Sequence, residues 1–202
     1  MKKILVGIPT ARYIEVETFR NLYNIKVPEG YTLEMKVFTG DDIEHLRNHI
    51  AQYTLDHGYD YLFSVDSDIV LPHDSLVKML AVDQDMVSGL YIQRIPDTHT
   101  VELYGVTAGG GRSNIPYDLL RGRGVVEVAG CGFGCVLIKR RVFEGVPHPQ
   151  FVYHRALTQR ETVSEDVDFC MKATNSGFTI WADTTIHCDH VGSSTYRVEP
   201  IE

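Results

Sequence analysis

The sequence has no long apolar run, no Cys-x-x-Cys motif and no excess of positive charge. Its 19 lysines and arginines are outnumbered by 27 aspartates and glutamates, which gives a formal net charge of -8. This acidity argues against nucleic acid and against an anionic membrane as partners, because both require a basic face. The apolar run that begins at Ile4 is broken by Pro9, and it is too short for a membrane span or a signal-peptide core. We therefore expect no membrane span and a cytoplasmic location.

The cysteines are few and irregularly spaced: Cys131, Cys135, Cys170 and Cys188. Cytosolic cysteines are usually reduced, and small buried thiols in a core are the simplest interpretation. The alternative is a zinc site, with His190 and every cysteine except Cys170 as ligands. Its spacing matches no common zinc module.

Short apolar segments alternate with helical patterns, without repeats or low-complexity tracts. The alternation predicts an α/β sandwich with a largely parallel sheet. Strands are predicted at 4–8, 33–38, 61–65, 85–92, 125–129, 136–139 and 178–182, and helices begin near 41, 74 and 164. Asp41 and Glu44 form a capping-box pattern at the first of these helices. The stretch 96–123 contains three consecutive glycines and two prolines, which predicts a flexible loop.

Two carboxylates, Asp66 and Asp68, directly follow the predicted strand 61–65, with the small Ser67 between them. Open α/β sheets bind ligands at the carboxyl ends of their strands. A hard divalent cation prefers oxygen ligands, and a diphosphate supplies more of them. The pattern therefore indicates a cation that bridges protein and diphosphate. The alternative is a turn with two solvated aspartates.

A second acidic group stands at the predicted start of the last helix. Ser164 is the expected N-cap, which places Glu165 and Asp166 in the first turn. Acidic residues stabilise helix starts on their own account, and the functional alternative is a carboxylate that accepts a proton from an attacking hydroxyl. Downstream, His187 and His190 follow the last strand. Either could add a nitrogen ligand, which Mn²⁺ accepts more readily than Mg²⁺.

Two further features have open interpretations. The glycines at 130, 132 and 134 alternate with other residues, which brings backbone close to a ligand or allows a tight turn. Arg47 lies on the first long helix, where it either reaches a phosphate or is simply solvated.

Taken in order, these segments resemble the GT-A glycosyltransferases, and more narrowly the family 2-type enzymes and their short bacterial and phage-encoded relatives. The resemblance spans about residues 4–192. The matching stretches are 47–48 with Ala51, 58–68, 89–91, 130–134 leading to 137–140, 164–170, 177–178, 181–183 and 190–192.

The resemblance implies a Rossmann-like three-layer sandwich with a mostly parallel mixed sheet. It implies one domain over 1–202, with a nucleotide-binding part at about 1–95 and an acceptor and catalytic part at about 96–202. The implied activity is that of a hexosyltransferase-type enzyme, which uses a UDP- or GDP-type sugar donor and Mn²⁺ or Mg²⁺. The acceptor would be a hydroxyl of a glycan, a lipid or a small molecule.

The resemblance also implies residue roles. Asp68 would bind the cation, His190 would complete its shell, and Asp66 would contact the cation or the ribose. Asp166 would be the general base of an inverting reaction, with Glu165 beside it. Nucleotide-sugar contacts are expected at Pro9, Thr10, Arg12, Asp41, Arg47, Asp66, Ser67 and Gly132. The alternatives are a retaining transferase, or a non-catalytic domain that binds a sugar nucleotide or a metal.

Overall fold

The computed structural model describes residues 1–94, 100–156 and 162–192. The strands are β1 Lys2–Thr10, β2 Tyr31–Thr39, β3 Tyr61–Val65, β4 Ile69–Val70, β5 Met86–Leu90, β6 Thr100–Val106, β7 Arg112–Pro116, β8 Val125–Val128, β9 Gly130–Cys131, β10 Cys135–Lys139, β11 Ile180–His187 and β12 Asp189–His190. The helices are α1 Val16–Tyr23, α2 Ile43–Asp56, α3 Ser75–Val82, α4 Tyr117–Leu120, α5 Arg140–Gly145 and α6 Glu165–Asn175. Within these ranges no helix is long and apolar enough to cross a membrane.

A seven-stranded sheet in the order β2-β1-β3-β10-β5-β11-β8 forms the centre of the molecule. β1 pairs in parallel with β2 and β3, and β5 pairs in parallel with β11. β10 and β8 run antiparallel to their neighbours. Because most strands share one direction, their carboxyl ends meet at one edge, as the prediction of a mostly parallel mixed sheet requires.

Apolar cores cover both faces of the sheet, because successive side chains of a strand point to opposite faces. Leu5 lies in the core formed with α2, α5 and α6, whereas its neighbours Ile4 and Val6 lie in the core formed with α1 and α3. The molecule is therefore a sandwich of helices, sheet and helices, and the predicted three-layer architecture is confirmed.

The predicted flexible loop at 96–123 is wrong from residue 100 onward; residues 95–99 lie outside the described residues. β6 and β7 form an antiparallel hairpin, followed by α4. The glycines at 109–111 make the turn of this hairpin, where Gly110 has φ +79°. Val101 and Leu103 are fully buried, so the alternation along β6 outweighs the glycines and prolines around it.

The predicted capping box of α2 is also wrong. Asp42, not Asp41, is the N-cap, and its carboxylate accepts a hydrogen bond from the His45 amide at 3.1 Å. Glu44 accepts instead from the Tyr153 amide at 2.8 Å, because this face of the helix meets another chain segment.

All four cysteines are buried and unpaired by disulfides. Cys170 Sγ lies 3.5 Å from both the backbone nitrogen and the carbonyl oxygen of Cys131. The neighbouring Cys170 thiol, together with burial, raises the pKa of the Cys131 thiol. The sulfurs of Cys135 and Cys188 flank Gly89 on the other side of the sheet. The thiols thus form two separate pairs within the cores, which favours packing over the alternative of a shared zinc site.

Candidate functional site

A cleft of about 240 Å³ opens at the carboxyl ends of β1, β2 and β3. Its walls come from the chain segments that leave these strands and from the first turns of α2. The lining includes seven residues singled out in the sequence: Pro9, Thr10, Asp41, Arg47, Asp66, Ser67 and Asp68. Arg12 instead borders an adjacent apolar groove with Tyr13 and Phe19. Gly132 borders neither.

Arg47 connects the two acidic segments. Its side chain is only 5% exposed, and its guanidinium contacts Glu165 Oε1 through Nε at 2.9 Å and Asp66 Oδ1 through Nη2 at 3.1 Å. Nη1 also lies 3.4 Å from Ser64 Oγ. A buried guanidinium is tolerated only when carboxylates offset its desolvation. Arg47 is therefore neither solvated nor extended from the surface; it joins the end of β3 to the start of α6.

Asp66 turns towards this arginine. Both carboxylate oxygens lie within 3.5 Å of Arg47 Nη2. Burial raises the pKa of Asp66 even though Arg47 opposes the shift. The side chain keeps 30% exposure, so it lines the cleft while Arg47 fixes its orientation.

Asp68 lies close to His190, which is distant from it in the sequence. β12 pairs with β4, which follows Asp68, and this places His190 Nε2 3.6 Å from Asp68 Oδ1. Arg94 Nη1 lies 2.9 Å from the other oxygen, Oδ2. Burial opposes the charge of Asp68, but His190 and Arg94 outweigh it and lower its pKa. The predicted proximity of Asp68 and His190 is thus present in the structure.

The chemistry of this pair fits a divalent cation. His190 Nδ1 lies 2.9 Å from the carbonyl oxygen of Ile92 and donates a hydrogen bond to it, so Nε2 is the ring nitrogen that faces Asp68. Metal-binding histidines are typically oriented in this way by a second hydrogen bond. One carboxylate and one imidazole are suitable ligands for Mn²⁺. Among residues 1–94, 100–156 and 162–192 no group of three such side chains has metal-binding geometry, so oxygens of water or of a bound ligand would have to complete a shell.

The two acidic residues at the start of α6 have different environments. Glu165 is buried against Arg47, whereas Asp166 is half-buried. Asp166 Oδ1 accepts a hydrogen bond from the Val167 amide at 2.7 Å and another from the Ser164 hydroxyl. Within the described part of the chain no group donates to Oδ2. Burial and the neighbouring Glu165 raise the pKa of Asp166 to about 7. A carboxylate that is held through one oxygen, whose other oxygen has no donor among the described residues, and whose pKa is near 7 suits a general base.

The segment before α6 is held by side chains that the sequence did not single out for this purpose. Asn48 exchanges two hydrogen bonds with the backbone of Phe151, at 2.8 and 3.1 Å, as a neighbouring strand would. Asp168 accepts from the Val152 amide at 3.1 Å and pairs with Lys172 at 2.6 Å. The sequence signal was the position of Asn48 beside Arg47, on the side of α2 that faces this segment.

The alternating glycines at 130–134 are explained by packing. Gly134 N–H donates to the Tyr91 hydroxyl at 3.0 Å, and a Cβ at Gly132 would collide with the same hydroxyl. Glu102, beside Gly132, accepts a hydrogen bond from the Tyr104 hydroxyl at 2.5 Å. Its negative charge contributes to the raised pKa of Asp166. Of the two interpretations of these glycines, the tight turn is the one the structure supports.

No family model and no curated protein matches the sequence. Two solved structures resemble the fold. A197 from STIV has a TM-score of 0.63 at 17% identity, with 100% of this chain and 97% of that chain covered. TarS 1-349 from S. aureus, solved in complex with UDP-GlcNAc, has a TM-score of 0.50 at 12% identity. All of this chain is covered in that comparison, but it spans only 59% of the TarS fragment. At these identities the likeness establishes the fold alone, and that fold is GT-A-like.

Proposed function

We propose that this protein transfers a sugar from a nucleoside diphosphate sugar to an acceptor hydroxyl, with inversion, as family 2-type enzymes do. The observation that carries the proposal is the shared arginine. Arg47 joins Asp66, at the mouth of the cleft, to Glu165, next to Asp166. A candidate diphosphate site and a candidate base therefore belong to one connected arrangement. The GT-A-like fold, and a similar structure that holds UDP-GlcNAc, support the same function.

The donor would occupy the cleft, and the nucleoside would lie against Pro9, Thr10 and Asp41. Asp68 and His190 would hold Mn²⁺ or Mg²⁺, which supplies positive charge against the leaving nucleoside diphosphate. Asp66 faces Arg47, so we assign it to the nucleotide side of the site rather than to the cation. In this proposal residues 1–95 form the donor half.

In this proposal Asp166 is the general base of the transfer reaction. As the acceptor oxygen bonds to the anomeric carbon, the bond from that carbon to the diphosphate oxygen breaks. The hydroxyl proton passes to Asp166, whose Oδ2 has no donor among the described residues. The Ser164 hydroxyl and the Val167 amide hold Oδ1 and so fix the direction of the free oxygen. The acceptor half, from about residue 96 onward, would place the hydroxyl beside it.

Calorimetry tests the proposed binding of donor and cation, and turnover assays test the proposed role of Asp166. We expect UDP- or GDP-sugars to bind more tightly with Mn²⁺ than without it, and Asp68→Ala to abolish the difference. Asp166→Asn should keep donor affinity and reduce turnover by about 10²- to 10⁴-fold, the usual contribution of a general base. Asp118→Asn, which changes an exposed carboxylate on α4, is the matched control.

Each part of the proposal has its own refutation. Equal donor affinity with and without Mn²⁺ would rule out the cation. Unchanged turnover in Asp166→Asn would rule out the base. A product that retains the donor's anomeric configuration, read by NMR, would replace inversion with the retaining alternative. Absence of affinity for every sugar nucleotide tested would remove the transferase function itself.

A further inference from the structure

Arg94 occupies a position that the proposed function does not account for. Its Nη1 lies 2.9 Å from Asp68 Oδ2 and 3.3 Å from the carbonyl oxygen of Val191. The Val191 amide in turn donates to the Asp68 carbonyl at 2.8 Å. The guanidinium is therefore held against the carboxylate that would bind the cation, beside the imidazole of His190.

A guanidinium and a divalent cation compete for this carboxylate. Arg94 lies on Oδ2 and His190 faces Oδ1, so both cations would bind one carboxylate, and their positive charges repel each other. The Arg94 side chain is 47% exposed, so its pair with Asp68 is weak and its release into solvent costs little. His190 is held through Ile92 and can remain in place during the exchange.

Charge balance indicates where the released guanidinium goes. With Arg94 on Asp68 this pair of side chains is neutral. A cation on Asp68 leaves an excess of positive charge, and a donor with a negative charge on each of its two phosphates restores the balance. Arginine suits this second partner, because its planar fork matches phosphate oxygens.

We propose, on the basis of the proposed function, that Arg94 is an exchangeable counter-ion: it neutralises Asp68 in the free protein and pairs with the donor diphosphate once a divalent cation has taken Asp68. Arg94 thereby weakens binding of the cation alone and strengthens binding of the donor. Cation and donor would then bind together rather than separately.

Two titrations of Arg94→Gln test this inference. The first measures Mn²⁺ alone by calorimetry at low ionic strength, where we expect about three- to fivefold tighter binding than in the wild type, the range of an exposed ion pair. The second measures UDP-GlcNAc at saturating Mn²⁺, where we expect about tenfold weaker binding from loss of a charge-assisted contact. Arg121→Gln removes an exposed arginine after α4 and controls for net charge; Arg94→Lys should give intermediate values.

The decisive result is that Arg94→Gln changes the two affinities in opposite directions, with tighter binding of Mn²⁺ and weaker binding of UDP-GlcNAc. Equal Mn²⁺ affinity in wild type and Arg94→Gln, or shifts of both affinities in the same direction, would overturn the inference, as would Mn²⁺ binding to neither protein. If Mn²⁺ binding tightens in Arg94→Gln but UDP-GlcNAc binds to neither protein, Arg94 competes for Asp68 but the transfer to the diphosphate is refuted for this donor. Failure of all sugar nucleotides with the wild type would instead count against the proposed function.

Discussion

The ionisation of Asp166 should destabilise the folded protein. Replacing its carboxyl group by an uncharged amide should therefore stabilise the protein. Asp166→Asn preserves the shape of the side chain and keeps an oxygen for the Val167 amide. Because the folded pKa of about 7 lies above the ordinary 3.8, the folded protein binds this proton more tightly than the unfolded chain. Stability therefore falls as pH rises from about 4 to about 7, and the loss is complete above that range.

The size of this destabilisation follows from the difference between the folded and the ordinary pKa of Asp166. A pKa of about 7 instead of 3.8 corresponds to at most about 4 kcal/mol above pH 8. Half-burial screens part of this, and the carboxylate also gains about 0.5 kcal/mol from the amino end of α6, which asparagine would lose. We therefore expect Asp166→Asn to raise the free energy of unfolding by about 1–2 kcal/mol at pH 8 and by little at pH 4.5.

Urea unfolding at pH 4.5, 6 and 8 measures this directly. Asp168→Asn is the control on the same helix, and it should have the opposite sign. That carboxylate is paired with Lys172 and accepts from Val152, so its loss should cost about 1–3 kcal/mol. An Asp166→Asn protein that is less stable than wild type at pH 8, or whose gain does not depend on pH, would refute the assigned environment of Asp166.

Three further outcomes follow from packing and charge. Arg47→Met should lower the free energy of unfolding by about 3–5 kcal/mol, because it leaves Asp66 and Glu165 without their counter-ion, and adding Glu165→Gln should recover part of the loss; a cost below about 1 kcal/mol would contradict this. Gly132→Ala should cost about 1–3 kcal/mol in urea unfolding, and Tyr91→Phe, which removes the colliding oxygen, should relieve some of it. All four buried thiols should resist a disulfide reagent such as DTNB until the protein unfolds, and rapid labelling of the native protein would show that the cores open.

Much of the fold could be predicted because it depends on local patterns. The run from Ile4 to Ile8 and the segment from Tyr61 to Val65 are buried on both faces, so they appear in the sequence as continuous apolar strands. The hairpin β6–β7 escaped prediction because its conspicuous glycines belong to the turn. Its own signal, the inward alternation of Val101 and Leu103, is only two residues long.

The geometry of the candidate site was predictable where polar residues directly follow a strand, as Asp66 and Asp68 follow β3. The prediction for Arg47 left its environment open, because a sequence does not show which helix face is covered. Its spacing from Ile50 and Ala51 does place it on an apolar stripe, and the structure buries all three residues. Arg94 gave no signal at all, since its contact with Asp68 arises only when β4, β5 and β12 assemble.

The sharing of Arg47 between Asp66 and Glu165 has a thermodynamic consequence. Under the proposed function, a donor that perturbs Asp66 would change the field at Glu165 and hence the proton affinity of Asp166. The donor and this proton are then linked ligands, and linkage is reciprocal: the factor by which the donor changes the proton's affinity is the factor by which the proton changes the donor's. The pH dependence of donor binding would therefore report on Asp166, the proposed base, even in the absence of an acceptor.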